Sequence, residues 1–191
     1  PEIFRCVEVC NTAGMDVVSA AGSVAFLIES FAKGCIAKED IGFAPAFGDF
    51  DSILMLLKMI AAREGIGDIL AAGVKQAANH FPAAKELAMH VKGMEMPVKD
   101  PRAKLDTFTF GYLTSTRGGD SLRTRSPVEA LLKGLKDEAT EEMGVDSDYI
   151  AALDMPFAIK EEIFGSPPTG VNIPRMSVYA ENLITIINSV G

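Results

Sequence analysis

Apolar residues recur at three-to-four spacing through residues 16–33, at Val17, Ala21, Val24, Ala25, Ile28 and Phe31, which predicts a helix with one buried face. Gly34 follows where a C′ residue would close that helix. After a turn with Lys38, Glu39 and Asp40 and a loop with Pro45, Gly48 and Asp49, Asp51 stands as an N-cap. It opens a second helix through Ile53, Leu54, Leu57, Ile60 and Ala61 that ends at Arg63-Glu64-Gly65. A third helix is expected from Gly67-Asp68 through Ile69, Leu70, Val74 and Ala77 to Asn79. The connector is so short that the two should pack as an angled pair.

The pattern weakens between Ala83 and Arg102, where a helical turn, an extended piece from Met89 to Met94, and Pro97 follow one another. Pro101 biases Asp100 away from helical geometry, so this stretch reads as a crossing between two helical lobes, residues 1–98 and 99–191. Asp106–Thr116 carries Phe108, Phe110 and Tyr112 at alternate positions and is either a strand or a buried helix. Beyond the loop Arg117–Arg123 come amphipathic pieces near Pro127–Leu135, Ser147–Leu153 and Phe157–Phe164, then a loop at Pro167-Pro168-Thr169-Gly170. A last helix runs from Pro174 to Ser189 with proline in its first turn. The expected fold is all-α and multihelical.

Composition narrows the function classes. A chain of 191 residues that is 48% hydrophobic can bury about 70% of its unfolded surface. The formal charge of −8 comes with no basic stripe, which excludes sequence-blind binding of nucleic acid. No apolar run is long enough to span a bilayer, and no signal-peptide pattern precedes the first helix. Three cysteines, an odd number, then suggest free thiols in a cytoplasmic protein. The chain starts at Pro1 without a methionine and stops at Gly191 just after an apolar helical segment, so a shortened chain is expected.

The densest chemistry lies in Cys10-Asn11-Thr12-Ala13-Gly14-Met15-Asp16, which feeds the first apolar helix. Asn and Asp are preferred helix caps, and one reading of Asn11 and Asp16 is no more than that. Other blocks follow in order: Arg63-Glu64-Gly65-Ile66-Gly67-Asp68-Ile69-Leu70-Ala71-x-Gly73, His90-Val91-Lys92-Gly93-Met94-Glu95-Met96-Pro97, Asp100-Pro101-Arg102 and Thr114-Ser115-Thr116-Arg117-Gly118-Gly119. Together they resemble the C-terminal helical domains of the tungsten-dependent aldehyde:ferredoxin oxidoreductases. The likeness is dense from Cys10 to Arg123 and thinner, though collinear, to Gly191.

That resemblance implies a metal, tungsten or molybdenum, held by the dithiolenes of two pterins (tungstopterin), with a 4Fe-4S cluster beside it. It also implies oxidation of an aldehyde to a carboxylic acid, with electron transfer to ferredoxin. Each pterin of the family is gripped by a D-x-x-G-L-D/C turn. The first corresponds here to Asn11, Gly14 and Asp16, and the second to Asn188-Ser189-Val190-Gly191, which stops before the leucine and cysteine. A pterin's amino-pyrimidine edge offers adjacent donors that one carboxylate accepts as a pair, and glycine lets the backbone come close. Asn11 and Asn188 stand where the family has aspartate. An amide offers a single acceptor oxygen, so a weaker or altered grip is implied.

In the loop Arg117–Arg123 the family reads R-G-x-x-H-L-R/K, the histidine lying beside the metal as a proton donor. Here Ser121 takes the histidine position, while Leu122 and Arg123 are kept near the expected pterin. Serine does not titrate near neutral pH, so the substrate class differs or another group moves the proton. The double glycine with solvated arginines is the simpler alternative. By resemblance, the β-rich domain that covers the cofactor and supplies three cluster cysteines is missing. The chain by itself is therefore expected to be apo, to hold no metal and to be inactive. A second reading from another class is a non-catalytic helical scaffold or interaction module derived from this family, favoured by Asn11, Ser121 and Asn188. An apolar face left bare by a missing domain would drive a homodimer. Cys6 and Cys10 lack partners for a metal site and read as packed thiols. His80 and His90 read as structural, Lys92, Asp100 and Arg102 as an ion-pair set at the lobe junction, and the nine methionines as core filler.

Overall fold

The computed structural model describes residues 2–97, 106–124, 147–166 and 170–190. The Asp100-Pro101-Arg102 block, the piece near Pro127–Leu135, the Pro167–Thr169 loop and Gly191 lie outside them. The fold is all-α apart from one two-stranded hairpin. The chain forms two compact units, residues 1–99 with 116–119, and residues 100–115 with 120–191.

In the first unit, α1 (Glu2–Thr12), α2 (Val17–Ala32) and α4 (Phe50–Ala62) pack on one another, with the single turn α3 (Lys38–Ile41) between the latter two. The buried stripe of α2 is Ala20, Val24, Leu27 and Ile28, whereas Ala21 is exposed. The face is thus rotated from the one expected, because Leu27 and Phe26 outweigh the small Ala21 when the helix settles against α4. Asp16 caps α2, its Oδ1 accepting the Ser19 N–H at 2.7 Å. At the other end the Cys35 N–H reaches the Ser30 carbonyl and Gly34 takes φ +71°, the expected left-handed close.

Asp49, rather than Asp51, is the N-cap of α4; its carboxylate accepts both the backbone N–H and the hydroxyl of Ser52. Those two bonds hold the Asp49 carboxyl below the usual carboxylate range. The predicted third helix is two short ones, α5 (Ile66–Leu70) and α6 (Val74–His80). Gly73, at φ +86°, breaks the helical path between them. α5 lies on α4 so closely that a Cβ on Gly67 would come within 2.2 Å of the Met59 carbonyl. α1 had no counterpart in the periodicity reading: its Glu2, Arg5 and Glu8 interrupt the apolar positions, and only Cys10 is buried.

A 3-10 turn (Pro82–Leu87) leads to the hairpin β1 (His90–Val91) and β2 (Met94–Glu95), paired antiparallel with His90 opposite Glu95. Lys92 and Gly93 both have positive φ, as a tight two-residue hairpin turn requires. The Gly93 N–H donates to His90 Nδ1 at 3.3 Å. The extended piece of the sequence is therefore this hairpin. Gly118 and Gly119 lie against it, where a Cβ would come within 2.5 Å of the Val91 carbonyl oxygen and 2.6 Å of that of Glu95.

In the second unit, Asp106–Thr116 resolves to a helix, α7 (Thr107–Thr114), with Asp106 Oδ1 accepting the Thr109 N–H at 2.9 Å. α8 (Ser147–Ala152), α9 (Phe157–Phe164) and α10 (Ile173–Val190) follow. Ile150, Met155, Ile163, Phe164 and Met176 form its core, and α10 packs on α7 and α9.

Candidate functional site

The first unit contains a cavity of about 450 Å³ between the start of α2, the end of α4, the α5–α6 junction and the hairpin. That volume lies within the range that ligand pockets take, roughly 300–1,000 Å³. Its wall brings together three of the sequence blocks: Met15 and Asp16 from the first, Arg63 and Leu70–Gly73 from the second, Gly93 and Glu95 from the third.

Gly14 makes the turn into the site, at φ +68°, and the Met15 N–H returns to the Cys10 carbonyl at 2.8 Å. Asp16 thereby stands at the mouth of the cavity as well as at the end of α2. One reading of the sequence made it a cap and the other a ligand residue; its cap bond uses one oxygen of the carboxylate, and the side chain also lines the cavity. Asn11 is exposed in the last turn of α1 and is not among the lining side chains. Arg63 reaches Asp68 at 3.0 Å, with both side chains exposed.

Glu95 is the feature that the sequence reading passed over. It is 6% exposed, and its Oε1 accepts the Val74 N–H at the start of α6 at 2.7 Å. Its one visible signal was the block Lys92-Gly93-Met94-Glu95, whose apolar neighbours do not mark Glu95 as buried.

Cys10 is buried beneath the turn. Burial, then the neighbouring Cys6 and Asp16, push its thiol up, so it stays protonated at neutral pH. Among the described residues no group of three or more His, Cys, Asp or Glu side chains could hold a metal ion. His80 stacks edge-on to Phe81, with ring centroids 4.8 Å apart.

In the second unit, Ser121 is buried at 6% exposure, and Leu122 is 66% exposed with Arg123 exposed beside it. Gly111 of α7 admits this loop: a Cβ there would meet Thr124 Oγ1 at 2.2 Å and Ser121 Cα at 3.0 Å. Thr124 Oγ1 donates to the Thr107 carbonyl at 3.0 Å. Tyr112 lies beside Ser121, yet its buried hydroxyl has no partner of good hydrogen-bond geometry among the described residues. Burial is the main cause that raises the Tyr112 phenol above its ordinary range, with Asp106 and Asp120 adding to it against Ser121. Asn188 is exposed in the last turn of α10, as Asn11 is in the last turn of α1.

The fold is multihelical, and three of its ordered sequence blocks meet at one cavity. The family model for aldehyde ferredoxin oxidoreductase, domains 2 & 3, matches residues 1–191, and the chain belongs to that family. It is 37% identical over 119 residues to the tungsten-containing aldehyde ferredoxin oxidoreductase of Pyrococcus furiosus, covering 61% of this chain and 19% of that protein. It is 31% identical over 166 residues to the aliphatic sulfonate oxidoreductase, WOR-like subunit, of the same organism, covering 84% of this chain and 26% of that protein. The chain thus spans about a fifth to a quarter of the length of these relatives. Among solved structures, the active site complex BamBC of benzoyl coenzyme A reductase with 1,5 dienoyl-CoA aligns over 91% of this chain and 35% of that one. The TM-score is 0.48 and the identity 17%.

Proposed function

We propose that this chain is a pterin-holding helical part of a tungstopterin oxidoreductase, and that the whole enzyme oxidises an aldehyde to a carboxylic acid and passes electrons to ferredoxin. The observation that carries this reading is the meeting of three sequence blocks at one cavity with Asp16 at its mouth. A pterin fits the residues present. The cavity has ligand size, its carboxylates are acceptors for the donors of an amino-pyrimidine, and Gly73 keeps the wall open where a Cβ would stand 2.7 Å from Glu95 Oε1.

Asp16 holds the ring by accepting its N–H donors, while Gly14 and the Met15 backbone set the turn that presents the carboxylate. In the second unit Asn188 opens the other pterin turn by resemblance, and Leu122 and Arg123 belong to the loop that the resemblance puts near the pterin. When bound, the group supplies a redox-active metal and the path for two electrons toward an iron-sulfur cluster. Ser121 stands where the family has its proton donor, and a serine hydroxyl orients a substrate oxygen by hydrogen bonding without titrating. The protein works in the cytoplasm in this reading, and the 191 residues alone do not turn over substrate.

Elemental and pterin analysis of the protein that carries this chain, purified from a tungsten-replete host, tests the reading. Tungsten or molybdenum together with pterin, and reduction of a viologen dye by an aldehyde, are expected. An aliphatic sulfonate belongs in the same substrate panel, because the relative matched over most of this chain carries that name. The second reading, a scaffold that no longer holds the cofactor, is favoured by Ser121. Metal-free, pterin-free protein with an intact iron-sulfur cluster would establish it instead.

A further inference from the structure

Three ionisable side chains line the cavity among the described residues: Asp16, Arg63 and Glu95. Asp16 and Arg63 are exposed, and Glu95 alone is buried. Its carboxylate has about four acceptor sites. Among the described residues a single hydrogen bond reaches it, the Val74 N–H at 2.7 Å. An ionised carboxylate taken out of water with most of its acceptor sites unfilled is costly unless something else donates to it.

Glycines make room for both the side chain and the backbone of this residue. A Cβ on Gly22 of α2 would press on Glu95 Cβ and Cγ at 3.1 Å, one on Gly73 would meet Oε1 at 2.7 Å, and one on Gly119 would meet the Glu95 carbonyl oxygen at 2.6 Å. A helix cap ordinarily comes from the residue just before the helix. Here glycine stands at that position, and the acceptor is delivered by β2, 21 residues beyond Val74. The arrangement caps α6 and sets a carboxyl group into the cavity wall at once.

We propose that Glu95 is a second ligand-reading carboxylate of this cavity, accepting an amino hydrogen of the bound pterin while Asp16 accepts from the other side of the same edge. The inference rests on the pterin reading of the cavity. An amino-pyrimidine has two amino hydrogens and one adjacent ring N–H. A single carboxylate engages the ring N–H and one amino hydrogen, and Glu95 takes the second. Asp16 and Glu95 together then select a 2-amino ring over the same ring bearing oxygen at that position.

The test is fluorescence titration of the protein that carries this chain, freed of its cofactor, with 6-hydroxymethylpterin and with its 2-oxo counterpart. The parent chain is expected to prefer the amino ring, and Glu95→Gln to reduce that preference about tenfold, the size of one charge-assisted hydrogen bond. The glutamine oxygen still accepts from Val74, and the ratio of the two affinities separates ligand reading from a structural role, which would weaken both rings alike. Unchanged preference in Glu95→Gln, with preference lost in Asp16→Asn, would overturn the inference and leave the pterin reading standing. A parent chain that binds neither ring, or both equally, would overturn both. Asp16→Asn, which keeps the α2 cap, gives an independent check should Glu95→Gln not fold: residual preference for the amino ring supports the role of Glu95, and none refutes it.

Discussion

Gly67 of α5 lies against the Met59 carbonyl of α4, where an added Cβ would come within 2.2 Å, leaving no room for a side chain at position 67. Gly67→Ala therefore forces the two helices apart, and the Ile60, Ile66 and Leu70 packing beneath them goes with it. Overpacking of this kind costs about 1–3 kcal/mol. Thermal unfolding should show Gly67→Ala well below Gly22→Ala, whose Cβ would meet only the Glu95 side chain at 3.1 Å.

Asp16 holds the start of α2 through Ser19. Asp16→Ala is expected to lower stability by about 1 kcal/mol, the usual worth of an N-cap, and Asp16→Asn by a few tenths. Denaturant midpoints of the two variants check this. Equal losses would mean that the charge, rather than the cap bond, stabilises the helix end.

The raised Cys10 thiol has a pH signature. Burial disfavours the thiolate, so at any given pH a smaller fraction of Cys10 is reactive than of an ordinary cysteine. In a thiol-reagent titration of the native chain, Cys10 should react last, and only above the pH range of an exposed thiol. Unfolding should abolish the difference.

Tyr112 gives a prediction of opposite sign to most core substitutions. Its hydroxyl is buried without a well-formed partner, an arrangement that costs about 1–3 kcal/mol. Tyr112→Phe should leave stability unchanged or raise it. The folded phenol is raised, so the stability linked to it is full below the ordinary tyrosine range and falls as pH climbs through the folded value. The phenylalanine variant should lose that alkaline decline. A marked fall in melting temperature would show instead that the hydroxyl holds the Ser121 loop.

The elements with strong periodicity were legible in the sequence. α2, α4, α9 and α10 stand where the apolar spacing placed them, and Pro174 sits in the first turn of α10. The α5–α6 break was not legible, because Gly73 ends a helix only through a conformation that periodicity does not encode, stabilised by Glu95 from a distant strand. α7 stayed undecided because its aromatics alternate while its buried positions, Thr107, Thr109, Gly111 and Tyr112, do not form a helical stripe. The cap of α4 was misplaced by two residues, since Asp49 and Asp51 are equivalent by residue type and only the Ser52 contacts separate them. At the site, ordered blocks pointed to the turn at Asp16, but not to Glu95, whose burial depends on glycines scattered from position 22 to 119.

The central claim is that Asp16 holds a pterin in this cavity. Its most direct test is the pterin and tungsten content of the protein that carries this chain, compared with Asp16→Asn, both purified from tungsten-replete cells. A parent protein with pterin and tungsten, and a well-folded Asp16→Asn protein depleted of both, is the predicted result. Equal pterin in the two proteins, or none in the parent, would contradict it.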